Sequence, residues 1–184
     1  MESAMRLTLG GVTLQVVQGD ITYQPDIEAI VDTASAAPTP DDSGDAAAGL
    51  ALEEDDTSAP IAPGAAVLTE AFDLPNRFVI HCLGPVYGQD EPSEELLTNC
   101  YVQALTLAED HKIGSIAFPA ISTGAFGFPF QDASSAASRA IVSRAPDLRE
   151  IRLIRFVLPT DADCNAFSQA LIRSVAAAQQ RAAH

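Results

Sequence analysis

The stretch "GSIAFPAISTGAFGFP", Gly114 to Pro129, constrains the fold more than any other. Its first half is a short apolar run of strand length, and such a run suits a strand covered on both faces, as in a parallel sheet. Its second half is small residues and glycines, and Pro129 then opens a helical pattern. Parallel strands need crossover connections, so this chain should alternate strands with helices.

The rest of the sequence agrees. "MRLTLGGVTLQVVQGDI" reads as two strands around a Gly10-Gly11 turn, with Leu7, Leu9, Val12, Leu14 and Val16 alternating with mostly polar residues. "DIEAIVD", "AAVLTEAF", "RFVIHCLG" and "IRLIRFVLP" are further strands. Ser93 to His111 predicts the clearest helix, with Leu97, Tyr101, Ala104 or Leu105, and Ala108 at helical spacing. Ser93 is its expected cap, and Glu94 and Glu95 complement the dipole in its first turn. A second helix is expected over 130–144 and a third from Asp161 or Asp163, with Phe167, Leu171 and Val175 on its buried face. Residues 46–54 can form a short helix. The sum is one α/β domain over 1–184, with a mixed sheet and helices on both faces.

Charge narrows the partners. The net charge is −15, from 25 acids and 10 basic residues. Nucleic acid binding draws on Lys and Arg neutralising phosphates, so a nucleic acid partner is not expected, nor is an anionic membrane. The start "MESAMRLTLGG" lacks the pattern of a signal peptide, and no run reaches the length of a membrane span. Cys82, Cys100 and Cys164 are widely spaced and odd in number, which favours a reducing compartment. A cytoplasmic location is the expectation. Oligomeric state is not legible.

Two stretches can carry chemistry. In "ISTGAFGF", small residues after a buried strand let backbone N–H groups converge, and the next helix adds its positive end. That geometry holds a phosphate or diphosphate without a basic side chain; the alternative is a tight packing turn. In "QGDIT", Asp20 at a strand end is either an acceptor for an exocyclic amine or ribose, or a turn cap.

Taken together, "VVQGDITYQPDIEAIVDTAS", "RFVIHCLGPVYG" and "SIAFPAISTGAFGFP" resemble the macrodomain family, in order and separation, over roughly residues 14–175. The resemblance implies a three-layer α/β/α fold with a mostly parallel central sheet, and ADP-ribose or an ADP-ribosylated protein as partner. It implies that Asp20 accepts from the adenine amino group while the Ile21 N–H meets the ring. Ser122, Thr123, Gly124, Ala125, Phe126 and Gly127 would wrap the diphosphate, with Phe126 against the distal ribose. Gly84 and Pro85 would form a wall nearby. No cofactor and no metal are implied.

The departures concentrate after the third strand. The family's Asn-Ala-Ala-Asn corresponds to Asp32, Thr33, Ala34 and Ser35, and the serine lacks the reach and second donor of an amide. Where a run of glycines is usual, Pro40, Asp41, Asp42 and Ser43 stand. At ~5 Å and an effective dielectric of about 20, each acid turned towards a diphosphate would cost ~3 kcal/mol. Asp45 falls on the residue that catalytic members use to orient water. Residues 36–63 hold seven acids and no base, an atypical acidic loop. Three readings follow: an ADP-ribose-binding module weak or inactive as a hydrolase, a hydrolase of ADP-ribosyl or O-acetyl-ADP-ribose esters using Asp45, or a domain whose ligand has changed or gone.

Other chemistries find no frame. An EF-hand loop from Asp41 would need Gly and Glu where Ala46 and Leu52 stand. Glycoside hydrolysis needs two acids on rigid elements, and no G-x-S-x-G, G-x-G-x-x-G or P-loop is present. His81 and Cys82 are neighbours on a strand, so they face opposite sides.

Overall fold

The structure is a computed structural model that describes residues 3–33, 62–71, 74–124 and 126–183. Seven strands form one sheet: β1 (Ser3–Leu9), β2 (Val12–Gln18), β3 (Ala29–Thr33), β4 (Ala66–Glu70), β5 (Phe78–Cys82), β6 (Ser115–Phe118) and β7 (Leu153–Leu158). Their spatial order is β1-β2-β7-β6-β3-β5-β4. The five inner strands are mutually parallel, and β1 and β4 close the two edges antiparallel. The Gly10-Gly11 turn joins β1 to β2 with both residues at positive φ, 59° and 87°, which suits the tight connection of a twisted hairpin.

Three helices follow three of the inner strands: α1 (Ser93–Asp110) after β5, α2 (Phe130–Arg144) after β6 and α3 (Asp161–Ala182) after β7. All three pack on one face. Leu14, Val16, Ala29, Val31, Ile80, Ile116, Phe118, Ile154 and Phe156 meet Leu97, Tyr101, Leu105, Ile141, Phe167 and Leu171 there. Aromatic residues are few, and four of them form a row through this core. Tyr101, Phe118, Phe156 and Phe167 follow one another at ring separations of 5.1, 5.8 and 4.4 Å. Burying each such side chain contributes about 1.5–3 kcal/mol. The buried face of α2 is mostly alanine and serine with Ile141 and Val142, so its neighbours α1 and α3 approach closely.

The second face carries Val17, Ile30, Val79, Ala117 and Val157, with Ile27, Ala71, Ile21 and Leu74 from the loops after β2 and β4 packed over them. Leu153 joins them, and polar residues share the face: Gln15, Asp32, His81 and Arg155 lie on alternate strand positions of this side. All three cysteines are free and buried.

The helix ends differ in one respect from expectation. Thr160 caps α3 by accepting from the Asp163 N–H, as a helix start there requires. Ser93 does not cap α1. It is the first helical residue instead, and its hydroxyl donates to the Asp90 carbonyl. Pro92 occupies the cap, where it has no side-chain acceptor to offer. Among the described residues no helix is long and apolar enough to cross a membrane.

Candidate functional site

Parallel strands bring their C-terminal ends to one edge, and ligands of such sheets bind there, where the chain's winding reverses. From β3 the sheet extends to β5 on one side; from β6 it extends to β7 on the other. The β3–β6 ladder holds only two pairs, Ala29 with Ile116 and Ile30 with Ala117, whereas β3 and β5 pair over five. Beyond Ile30 and Ala117 the ladder stops, so the C-terminal ends of these two strands are not bonded to each other. The loops after β2, β5 and β6 all start at this edge.

The loop after β6 is built by its own backbone. The Phe128 N–H donates to the Ser122 carbonyl at 2.9 Å, and the Gly127 N–H to the Gly124 carbonyl at 3.0 Å. The Thr123 hydroxyl donates to the Ala120 carbonyl at 2.8 Å. The Ile121 N–H reaches the Tyr101 hydroxyl at 3.3 Å, which ties the loop to α1. Ser122 sits at φ 66°, a left-handed conformation that costs a residue with a Cβ roughly 1–2 kcal/mol. The N–H groups of Ser122, Gly124 and Phe126 donate to no acceptor among the described residues. Immediately afterwards α2 begins, with its positive end at the loop. The arrangement can receive an anion.

The loop after β5 closes against it. A Cβ placed on Gly84 would lie 2.0 Å from the Ser122 Oγ and 2.8 Å from the Ile121 Cγ2, so only glycine fits this approach. The Tyr87 N–H donates to the Phe126 carbonyl at 2.9 Å, and the Tyr87 ring meets the Phe128 ring edge-on at 5.0 Å. The Ser122 Oγ is buried in this contact with no hydrogen-bond partner.

The loop after β2 is held by side chains. Asp20 is exposed, and its Oδ1 accepts from the Thr22 N–H at 2.9 Å and the Thr22 hydroxyl at 2.7 Å. These bonds hold its carboxyl below the ordinary carboxylate range. So Asp20 does cap the turn, yet through one oxygen. Beneath it, Arg155 on β7 is nine-tenths buried. Its guanidinium grips Asp26 through two bonds of 2.8 and 2.7 Å and donates to Gln24 at 2.9 Å and to Gln15 at 3.0 Å. The Gln24 amide then donates to the Asp20 carbonyl at 2.8 Å. Asn76 donates to the carbonyls of Gln24 and Ile27 from the other side. Sequence reading missed Arg155, Gln24 and Asn76. The available signal was an arginine on an inward-facing position of "IRLIRFVLP".

Of the residues singled out in the sequence, Ser122, Thr123, Gly124, Phe126 and Gly127 lie on the loop after β6, and Gly84 and Pro85 abut it. Asp20 and Ile21 lie on the loop after β2, two strands away, which is about 10 Å at the usual strand spacing. Ser35, Asp45 and Ala125 lie outside the described residues, as do 36–61 of the acidic loop and the short helix expected at 46–54. His81 is a packed strand residue: its Nε2 and the Thr69 hydroxyl are 2.9 Å apart, and its Nδ1 is 3.5 Å from the Asp32 carboxylate. Cys82 faces the opposite core. Among the described residues no three His, Cys, Asp or Glu side chains converge as metal ligands do.

Comparison with known proteins gives the family. Residues 45–137 match the model of the Macro domain. A macro domain-containing protein of Methanosarcina mazei is 39% identical over 143 residues, covering 74% of this chain and 76% of its own. One from Cupriavidus necator is 36% identical over 161 residues, covering 80% and 92%. A third, from Caldanaerobacter subterraneus, is 41% identical over 108 residues, 58% of this chain; the match spans 61% of that relative. Among solved structures, the Oceanobacillus iheyensis macrodomain with ADP superposes at a TM-score of 0.82, with 30% identity and coverage of 94% and 97%. The same macrodomain as a glycine-to-valine mutant with ADPR gives 0.82 at 32% identity, covering 92% and 97%. These likenesses give the expected three-layer α/β/α class, of which the three described helices form one outer layer, and the chain belongs to the macrodomain family.

Proposed function

We propose that this protein binds ADP-ribose, free or attached to a protein, in the crevice between β3 and β6. The diphosphate lies on the loop after β6, where it accepts from the N–H groups of Ser122, Gly124 and Phe126 and faces the positive end of α2. Phe126 lies against the distal ribose. Asp20 accepts from the adenine amino group through its free Oδ2, and the Ile21 N–H, which has no acceptor among the described residues, meets the ring.

One observation carries this reading. Three backbone N–H groups without an acceptor among the described residues, those of Ser122, Gly124 and Phe126, lie on one loop, and a helix start stands behind them. Donors so arranged favour a dianion over water. The solved relatives with ADP and ADPR support the choice of nucleotide. The reading is one of binding: where the family resemblance expects Asn and a run of glycines, the chain has Ser35 and then Pro40, Asp41, Asp42 and Ser43, which removes groups tied to hydrolysis.

Calorimetry with ADP-ribose tests it, run at low and high salt because the −15 charge repels an anionic ligand. Heat of binding and a raised melting temperature are expected, since a ligand specific to the native state stabilises it. Millimolar ADP-ribose giving neither at either salt ends the proposal.

A further inference from the structure

The chain's basic residues are not spread evenly. No acid occurs between Ala133 and Pro146 or between Cys164 and His184, yet these stretches hold Arg139, Arg144, Arg173 and Arg181. That is four of ten basic residues in segments free of the 25 acids. The structure places three of them together. A groove of about 720 Å³ runs between α2 and α3, with Arg139, Arg173 and Arg181 lining it. Small residues fill its floor, among them Ser135, Ala140, Ser174 and Ala178. Glu94 and Asp132 also line it; both lie in the first turns of their helices, at the edge where the helices start.

Local structure accounts for only some of these arginines. Arg144 and Arg181 are in last turns, where a cation complements the dipole. Arg139 and Arg173 are mid-helix, where it does not. Arg139 is paired with Glu94, but both side chains are more than half exposed, and such pairs contribute little. Arg173 and Arg181 are exposed and have no ion-pair partner among the described residues.

We infer that the α2–α3 groove is a docking surface for an acidic polypeptide segment, separate from the nucleotide crevice. Arginine forks receive carboxylates bidentately, and the small-residue floor lets a peptide backbone approach. The molecule's overall field opposes an acidic partner. At ordinary ionic strength that field is screened beyond roughly 10 Å, so the arginines of the groove dominate locally. The two acids at one end favour a peptide over a nucleic acid. They repel a continuous run of phosphates, whereas they accept from peptide N–H groups or a lysine.

The test uses a fluorescent Asp/Glu-rich peptide of about 14 residues, long enough to span a helix-length groove of roughly 20 Å. Its Asn/Gln counterpart is the control, and anisotropy is read at about 0.05 and 0.5 M salt. The acidic peptide should bind and the control should not, and affinity should fall as salt rises. The double variant R173E/R181E should weaken it at least tenfold, while R173K/R181K retains part of it. ADP-ribose affinity should be unchanged in both variants, which separates this inference from the function proposed above, while R181E, an acid in the last turn of α3, lowers the melting temperature slightly. Three results would overturn it: no binding of the acidic peptide at millimolar concentration, equal binding of the two peptides, or binding that the charge reversal leaves intact. Tighter binding of a single-stranded oligonucleotide than of the peptide would reassign the surface and overturn it as well.

Discussion

Two loops at the same sheet edge are built by opposite means. The loop after β6 is held by backbone bonds and by the close approach of Gly84 to Ser122. The loop after β2 is held from below by Arg155, Gln24 and Asn76, whose long side chains reach its carbonyls and carboxylate. The first tolerates almost no change of volume and leaves donors free for a ligand. The second tolerates volume but depends on charge and hydrogen bonding.

That contrast can be broken from either side. The largest effect is expected from Gly84→Val, which drives atoms into Ser122 and Ile121. ADP-ribose affinity should fall at least a hundredfold, with a stability loss of about 1–3 kcal/mol from overpacking. Gly84→Ala combined with Ser122→Gly removes the 2.0 Å clash but not the 2.8 Å one, so it should recover binding only in part. Calorimetry and thermal melts read both.

Arg155→Met comes next. It keeps the bulk of the side chain and removes four hydrogen bonds. Stability should drop by about 1.5–3 kcal/mol, the range for bonds to a charged group, visible as a lower denaturant midpoint. Affinity should fall about tenfold through the displaced Asp20. If affinity falls without loss of stability, Arg155 touches ligand and the clamp assignment is wrong.

Asp20→Ala should weaken ADP-ribose about tenfold by deleting one hydrogen bond to an amine. Because Asp20 is exposed, the melting temperature should barely move. An unchanged affinity would remove Asp20 from the adenine site.

The smallest effect concerns pH. Hydrogen bonds from Arg155, with its charge adding to them, hold the Asp26 carboxyl below its ordinary value of 3.8. A depressed carboxylate stabilises the fold fully above its unfolded value and loses that contribution as pH falls through the lower, folded value. Wild type and Asp26→Asn should therefore differ by a constant amount from neutrality to about pH 5 and converge below pH 3.8. A difference that changes between pH 5 and 8 would contradict the assignment.

The same contrast explains what could be read from the chain alone. The loop after β6 is contiguous, so its glycines, small residues and following proline state their geometry within eleven residues. The strands and helices follow from period two and period 3.6 in the same local way. The clamp under Asp20 joins residues 129 and 131 positions apart, and no local pattern links them. Helices on both faces was the expectation, and the three described helices share one face. Periodicity marks a helix's apolar face, but the handedness of a crossover assigns a side only once strand order is known. Ser93 misled for a smaller reason: a serine before two glutamates suits a cap, yet Pro92 takes that place and the hydroxyl turns to Asp90.

The buried cysteines have a practical consequence. Burial raises the thiols of Cys82, Cys100 and Cys164, Cys100 to about 12. A thiol reagent needs a thiolate and access, and the closed molecule offers neither. Cys82 and Cys100 lie under the loop after β5, and Cys164 is on the buried face of α3, so alkylation of each can proceed only when its own region opens. The chain thus carries two built-in clocks. The labelling rate of the first pair times opening of the loop after β5, the rate of Cys164 times opening of α3 from the sheet, and a ligand that slows one without the other reveals which part of the molecule it holds shut.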